Sequence, residues 1–214
     1  MIRNKKVSPP LKRLSPFLTE KPTILIVCEG ENTEPSYFRK FRLSSATIKA
    51  VGDGRNTVAV VKQAMELSSK RKYEQVWCVF DKDNFPARDF NSAITLATAN
   101  NIKVGYSNQA FEYWLILHFT DHQGGRMSRK DYNQAINAQT RPLGVTYNGK
   151  ANKQISEDLF DLLMAVDDTT RVRRINLAIT RAKRNYKAVV HLSPVDQQSV
   201  TTVFRLVEEI LKYT

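Results

Sequence analysis

Cysteine is scarce in this chain: Cys28 and Cys78 are two thiols in 214 residues. Two cysteines make no disulfide framework, and both stand in apolar, β-like runs. The expectation is two buried free thiols in a reducing compartment, with the cytoplasm as the default location. A disulfide between neighbouring strands is the lesser alternative. Long apolar runs are also missing: none approaches the roughly 18–20 residues that span a bilayer. The basic N-terminus leads only to the short run ILIVC at 24–28, which ends in acid, so a signal peptide is not expected. No glycine-rich phosphate loop of the P-loop kind occurs. No tyrosine stands out as a topoisomerase nucleophile, and there is no internal repeat.

What the chain has in excess is positive charge, 33 Lys and Arg against 21 Asp and Glu, for a net +12. A surplus of this size favours polyanions through phosphate neutralisation and counterion release. The surplus is uneven. Residues 1–21 hold six basic residues against one acid, Glu20, and residues 171–187 hold seven and no acid. With Pro9, Pro10 and Pro16, residues 1–21 read as a flexible basic arm.

From Thr23 onward strand-like and helix-like patterns alternate. TILIVC, ATIKAV at 46–51, QVWCVF at 75–80 and IKVGY at 102–106 read as strands, the first and third apolar enough to be buried on both faces. Between them lie helical patterns, and AFEYWLILHF completes a fourth β-α pair. This order predicts an α/β fold with a mainly parallel four-stranded sheet flanked by helices. Residues 22–125 form that core, and residues 126–214 form a helical C-terminal extension packed on it. Ser128 with Asp131 marks a helix start, and Thr33 reads as another N-cap. Ile155, Leu159, Leu162, Leu163 and Val166 mark an amphipathic helix. On the 171–187 wheel Val172, Ile175, Ile179, Ala182 and Tyr186 share a stripe, with Leu177 out of place. Arg173, Arg174, Arg181, Lys183, Arg184 and Lys187 take the rest, a phosphate-binding face or simply a solvated one. The last helix repeats Val200, Val203, Phe204, Val207 and Ile210. His118 falls on the apolar face of its helix and reads as a buried, hydrogen-bonded histidine, while His122 and His191 have no evident partners.

In parallel sheets ligands gather at the carboxyl ends of the strands. Here Glu29 follows the first strand, Asp81 and Asp83 the third, and Asn108 and Glu112 the fourth; Glu34 opens the first helix. Carboxylates a few ångströms apart repel and raise one another's pKa. A bound Mg²⁺ or Mn²⁺ removes that conflict, and both ions prefer carboxylate and water oxygens. Glu29, Glu34, Asp81 and Asp83 are therefore the candidate metal ligands. Asp-x-Asp alone is equally the mark of a solvated turn; Glu29-Gly30 directly after a buried strand is more specific, since glycine lets the backbone turn sharply.

CEGENTEPSYFRKF, VFDKDN and SNQAFEYWLILHF together resemble the RloB-like family, whose proteins carry a Toprim-like fold and sit in phage-defence and restriction loci. The resemblance runs from about Thr23 and weakens after residue 125. One departure is Gln109, where the family pattern has proline, just before Glu112. The resemblance implies a metal-dependent nuclease with Glu29 as ligand or general acid/base, Asp81 and Asp83 on the metal, and Glu34 as a further ligand. Glu112 is then an additional ligand or an orienting group, or merely an acid placed well at a helix start. Lys150, or Lys153 beside it, would face the charge that builds on the phosphate. The partners implied are DNA or RNA and an AAA- or ABC-type ATPase encoded nearby; no membrane is implied, and self-association stays open. The rival is a non-catalytic component that binds nucleic acid or the ATPase. A haloacid-dehalogenase-type phosphatase with Asp81 as nucleophile fits less well, because its D-x-D-G-T follows the first strand whereas here Asn84-Phe85 follow the third.

Overall fold

A computed structural model describes residues 22–51, 57–82 and 86–214. The expected basic arm, residues 1–21, lies outside the described residues. Four strands and four helices alternate first: β1 Ile24–Cys28, α1 Thr33–Arg39, β2 Ala46–Ala50, α2 Thr57–Lys70, β3 Gln75–Asp81, α3 Ala87–Ala99, β4 Lys103–Asn108 and α4 Glu112–Phe119. Then come α5 Arg129–Thr140, α6 Glu157–Met164, α7 Arg174–Val189, β5 Val200–Thr201 and α8 Phe204–Leu211. The sheet order is β2-β1-β3-β4-β5. The first four strands are parallel, and β5 runs antiparallel to β4. The α/β class and the mainly parallel sheet are as expected, with one strand more.

The extra strand corrects the reading of the final helix. Val200 pairs with Asn108 and Thr201 with Ser107, and the helix begins only at Phe204. Three hydroxyl-mediated or backbone bonds hold this edge. Ser107 Oγ meets Thr201 Oγ1 at 3.0 Å, and the Tyr106 amide donates to Thr202 Oγ1 at 2.9 Å. The Thr202 amide in turn donates to the Tyr106 carbonyl at 2.8 Å. A two-residue strand has no periodicity of its own; it exists because β4 offers it an edge.

Side chains alternate across a strand, and the alternation here sorts two cores. Ile24, Ile26, Cys28, Trp77 and Val79 face α1, α4 and the C-terminal helices. Leu25, Val27, Cys78 and Phe80 face α2 and α3. The two thiols therefore sit on opposite faces of the sheet, both buried and both free, which disposes of a disulfide. Burial pushes the Cys78 thiol up to about 12.

The first core does not stop at residue 125. Tyr37, Phe111 and Trp114 share one buried cluster with Tyr132 and Ile136 of α5, Phe160 of α6, Ile175 and Ile179 of α7 and Leu206 of α8. α4 is central because EYWLILHF is apolar nearly all round, as a helix covered on every side must be; Tyr113 through His118 are all buried. His118 behaves as expected: its Nδ1 lies 3.0 Å from the Trp114 carbonyl and its ring stacks edge-on against Trp114. Burial depresses its pKa to about 3. His122 does have a partner, the Tyr113 hydroxyl at 2.8 Å from Nδ1. Ser128 caps α5 as expected, and Ser156 caps α6. Thr33, by contrast, is the first residue of α1, with Asn32 at the cap. Among the described residues no helix is long and apolar enough to cross a membrane.

Because one core serves both the sheet and the C-terminal helices, the described chain is expected to unfold as a unit. Ile175→Ala, deep in α7 at 0% exposure, should cost about 2–5 kcal/mol. Urea melts followed by far-ultraviolet dichroism and by tryptophan fluorescence should shift together. Two separated transitions would show that residues 126–214 fold apart from the sheet.

Candidate functional site

Glu29 and Asp81 lie at the carboxyl ends of two adjacent strands, because β1 pairs with β3 in the register Cys28 to Val79. The Glu29 amide donates to the Val79 carbonyl at 2.9 Å, so the ladder continues one residue beyond β1. Glu29 Oε2 then accepts the Asp81 amide at 3.0 Å. Asp81 Oδ2 accepts the Phe111 amide at 3.1 Å, at the start of α4. Its other oxygen, Oδ1, is buried and has no hydrogen-bond partner among the described residues. A buried carboxylate oxygen left bare is costly, and burial raises the Asp81 pKa well above the carboxylate range. The charges of Glu34, Glu112 and Glu29 raise it further.

Glu34 comes from the second position of α1 and is 5% exposed. Its carboxylate folds back over Gly30, where a Cβ would have to displace Oε2. Burial, first, and the charge of Glu112 raise the Glu34 pKa to about 7, while its own and Gly30's backbone amides and Lys153 pull the other way. Glu112 opens α4, and its Oε1 accepts the Tyr147 hydroxyl at 2.9 Å. That hydroxyl also lies 3.4 Å from Thr33 Oγ1. One buried tyrosine thus ties the first turn of α1 to the first turn of α4.

Sequence reasoning missed Tyr147. It lies on the segment after α5, held there by Asn137: Nδ2 donates to the Tyr147 carbonyl at 2.8 Å and Oδ1 accepts its amide at 2.9 Å. Two asparagines four apart on α5 are the only signal, and nothing in the spacing says which backbone they grip. Gln109 also gains a role. Its Oε1 accepts the Arg129 amide at 2.9 Å, tying the turn before Glu112 to the start of α5. The Asn108–Gln109 peptide is cis, at the position where the family pattern has proline. Asn108 itself turns away, donating to the Val195 carbonyl at 3.1 Å.

Glu29, Glu34, Asp81 and Glu112 are therefore gathered within electrostatic reach of one another. Asp83 lies outside the described residues. Of the two lysines, Lys153 lines the small cavity of about 80 Å³ with Glu112, Tyr147 and Arg129. Lys150 lines a separate, wider groove with Arg141, so the structure puts the nearer cation at 153.

Six of the seven basic residues of 171–187 form one cationic face on the helical wheel, and several of them are engaged within the protein. Arg174 is 5% exposed, and its Nη1 donates to the Val166 carbonyl at 3.2 Å. Arg181 Nη1 donates to the Leu117 carbonyl at 2.8 Å. Arg184 pairs with Asp121 at 2.6 Å, and Lys183 pairs with Glu208. Arg173 and Lys187 are exposed; Arg173 Nε also donates to the Met164 carbonyl at 3.2 Å. Most of this charge holds α7 to α4, α6 and α8.

Does the acid cluster fit a divalent cation? The donors are hard carboxylate oxygens, the kind Mg²⁺ and Mn²⁺ take, and the bare Asp81 Oδ1 together with mutual repulsion speaks for a missing positive charge. Among the described residues, however, no group of three or more acidic, histidine or cysteine side chains is gathered tightly enough to hold an ion. Among the described residues, Asp81 and Glu29 are joined directly by a hydrogen bond at this edge, and Asp83 lies outside them.

Fold and site together define an α/β protein with carboxylates assembled at the carboxyl edge of a parallel sheet. The chain belongs to the RloB-like protein family, whose model matches residues 24–210. No curated protein and no solved structure matches it.

The raised pKa of Glu34 has a signed consequence. A carboxyl whose folded pKa lies above its unfolded value stabilises the fold at low pH, and that contribution is lost as pH rises toward the folded value. Between about pH 4.5 and 7 the metal-free protein should lose stability, by at most about 1.4 kcal/mol per pH unit for one group. Glu34→Gln should flatten this slope in melts recorded in EDTA. An unchanged slope would place the titration elsewhere.

Proposed function

We propose that this protein is a divalent-metal-dependent nuclease of Toprim type, a cytoplasmic effector in a phage-defence or restriction-linked system, working with an ATPase encoded nearby. The observation that carries the reading is Asp81: a carboxylate with one buried oxygen that has no partner among the described residues, set among three further carboxylates. Such a group is expensive without a cation. Asp81 and Glu29 would hold the ion together with Asp83. When bound, Mg²⁺ or Mn²⁺ supplies an activated water and neutralises charge on the phosphate oxygens.

The chain's own residues divide the remaining work. Glu34, with a pKa near 7, is suited to exchange a proton at neutral pH, as a general acid or base must. The Tyr147 hydroxyl fixes the orientation of Glu112. Lys153 brings positive charge to the mouth of the cavity, where a phosphate would develop negative charge. The acids match the positions that the Toprim pattern uses, and the net charge of +12 suits a polyanionic substrate.

One observation favours a second reading, a non-catalytic component that binds nucleic acid or the ATPase: the described acids by themselves complete no metal site. Incubation with supercoiled DNA and with total tRNA, in Mg²⁺, Mn²⁺ or EDTA, separates the two. The nuclease reading predicts cleavage that EDTA stops, that Asp81→Asn abolishes and that Glu34→Gln slows by about 10²–10⁴-fold. Binding of both polymers with no cleavage, with or without the ATPase, would instead favour the binding component.

A further inference from the structure

We infer that the groove between α5 and the 147–153 segment is the path by which a single strand of nucleic acid reaches the acid cluster. This inference rests on the nuclease reading of that cluster. Its first support is charge. Residues 122–154 carry Arg126, Arg129, Lys130, Arg141, Lys150 and Lys153 against a single acid, Asp131. Beyond the pair Arg129-Lys130 no run of adjacent cations announces this, because the residues are spread over a helix and a loop. The fold gathers four of them along two adjoining depressions. Arg129 and Lys153 line the inner one with Glu112, and Arg141 and Lys150 line the outer one. Asn133 lines both, so the two adjoin at that residue, and Asp131 lines neither.

The second support is that the groove is built rather than incidental. Asn137 clamps Tyr147 by two hydrogen bonds. Asn133 Oδ1 accepts the Gly149 amide at 2.9 Å. A Cβ at Gly149 would lie 2.7 Å from Tyr147 Cε1 and 2.8 Å from Asn133 Oδ1, so the loop closes on the helix only with glycine there. The clamped loop contributes Lys150 to the outer groove and Lys153 to the inner cavity. Arg174, Arg181, Lys183 and Arg184 of α7 are engaged with carbonyls and acids of the protein, the last two while still exposed; Arg141, Lys150 and Lys153 are exposed as well.

The third support is size. The outer groove holds about 510 Å³ and the inner cavity about 80 Å³. The first is on the scale of a small-ligand pocket, not of the wide face that a duplex covers. From Arg129 to Arg141 the helix advances about 18 Å at 1.5 Å per residue, room for roughly five nucleotides at helical rise. A strand lying there places a phosphate at the inner cavity beside Glu112 and Lys153, and its flank against Lys150 and Arg141.

The test measures binding in EDTA, where no catalysis is needed. The probes are fluorescent oligothymidylate and oligouridylate about fifteen nucleotides long, near the upper end of single-strand sites, with a duplex of equal length as the comparison. Two full-length variants carry the same change in net charge. Arg141→Glu with Lys150→Glu alters the groove; Lys62→Glu with Lys72→Glu alters exposed positions on and just after α2, on the opposite face of the sheet. Residues 1–21 are common to both and cancel. The groove variant is expected to bind single strands at least tenfold more weakly. Its log–log salt slope should fall by about 1.4, two phosphate contacts at about 0.7 each. The α2 variant should lose little of either, and thermal melts should show both folded. Equal losses in the two variants, no loss in the groove variant, or a duplex bound as tightly as a single strand would each overturn the inference. A protein that binds in this pattern but never cleaves would overturn the nuclease reading and leave the groove standing.

Discussion

Two hydrogen bonds join two strand ends and a helix start: the Asp81 amide donates to Glu29, and Asp81 accepts from the Phe111 amide. Through them β1, β3 and the start of α4 share one point. Each is an amide bonded to a carboxylate, the stronger kind of hydrogen bond, and each uses one oxygen while leaving its carboxylate inside the protein. The arrangement solves the geometry of the sheet edge and creates an electrostatic problem at once. Glu34 and Glu112 then approach the same place, and burial and repulsion drive the Glu34 and Asp81 pKa values upward.

A fold has few reasons to keep such a cluster. Replacing buried charges by apolar groups of similar size is often neutral or stabilising, so carboxylates held together against their own repulsion point to a task. The surroundings are arranged for one. Gly30 leaves room for Glu34, Tyr147 steadies Glu112, and Asn137 steadies Tyr147. The C-terminal helices are therefore more than an appendage. α5 and the segment after it build one wall of the site, and the same apolar core that fixes α7 and α8 holds them in place.

Much of this was legible in the residues. TILIVC and QVWCVF announce strands buried on both faces, and acids directly after such strands must lie at their carboxyl ends. What stayed hidden depends on partners distant in sequence. Arg174 and Arg181 look like a cationic face on a helical wheel, yet each is spent on a carbonyl of another element, Val166 or Leu117. β5 is two residues long and carries no period to read. Lys150 and Lys153 are indistinguishable by pattern; the grip of Asn133 and Asn137 on the loop decides which one meets the acids. The thiols stand in runs that look alike, but the one-residue offset between Val27 pairing Cys78 and Cys28 pairing Val79 sends them to opposite faces.

The proposal that the acidic edge binds a divalent cation is tested most directly by thermal melts of the parent and of Asp81→Asn, each in EDTA and in Mn²⁺. Asparagine keeps an oxygen for the Phe111 amide while removing the charge. In EDTA the variant should therefore be as stable as the parent or more so. Mn²⁺ at a hundredfold over its dissociation constant should stabilise the parent by about 2.7 kcal/mol, a rise of several degrees for a chain of this size, and most of that rise should vanish in the variant. If Asp81→Asn unfolds the metal-free protein, or if Mn²⁺ leaves the parent's melt where it was, Asp81 is a structural turn residue and the cluster is no metal site.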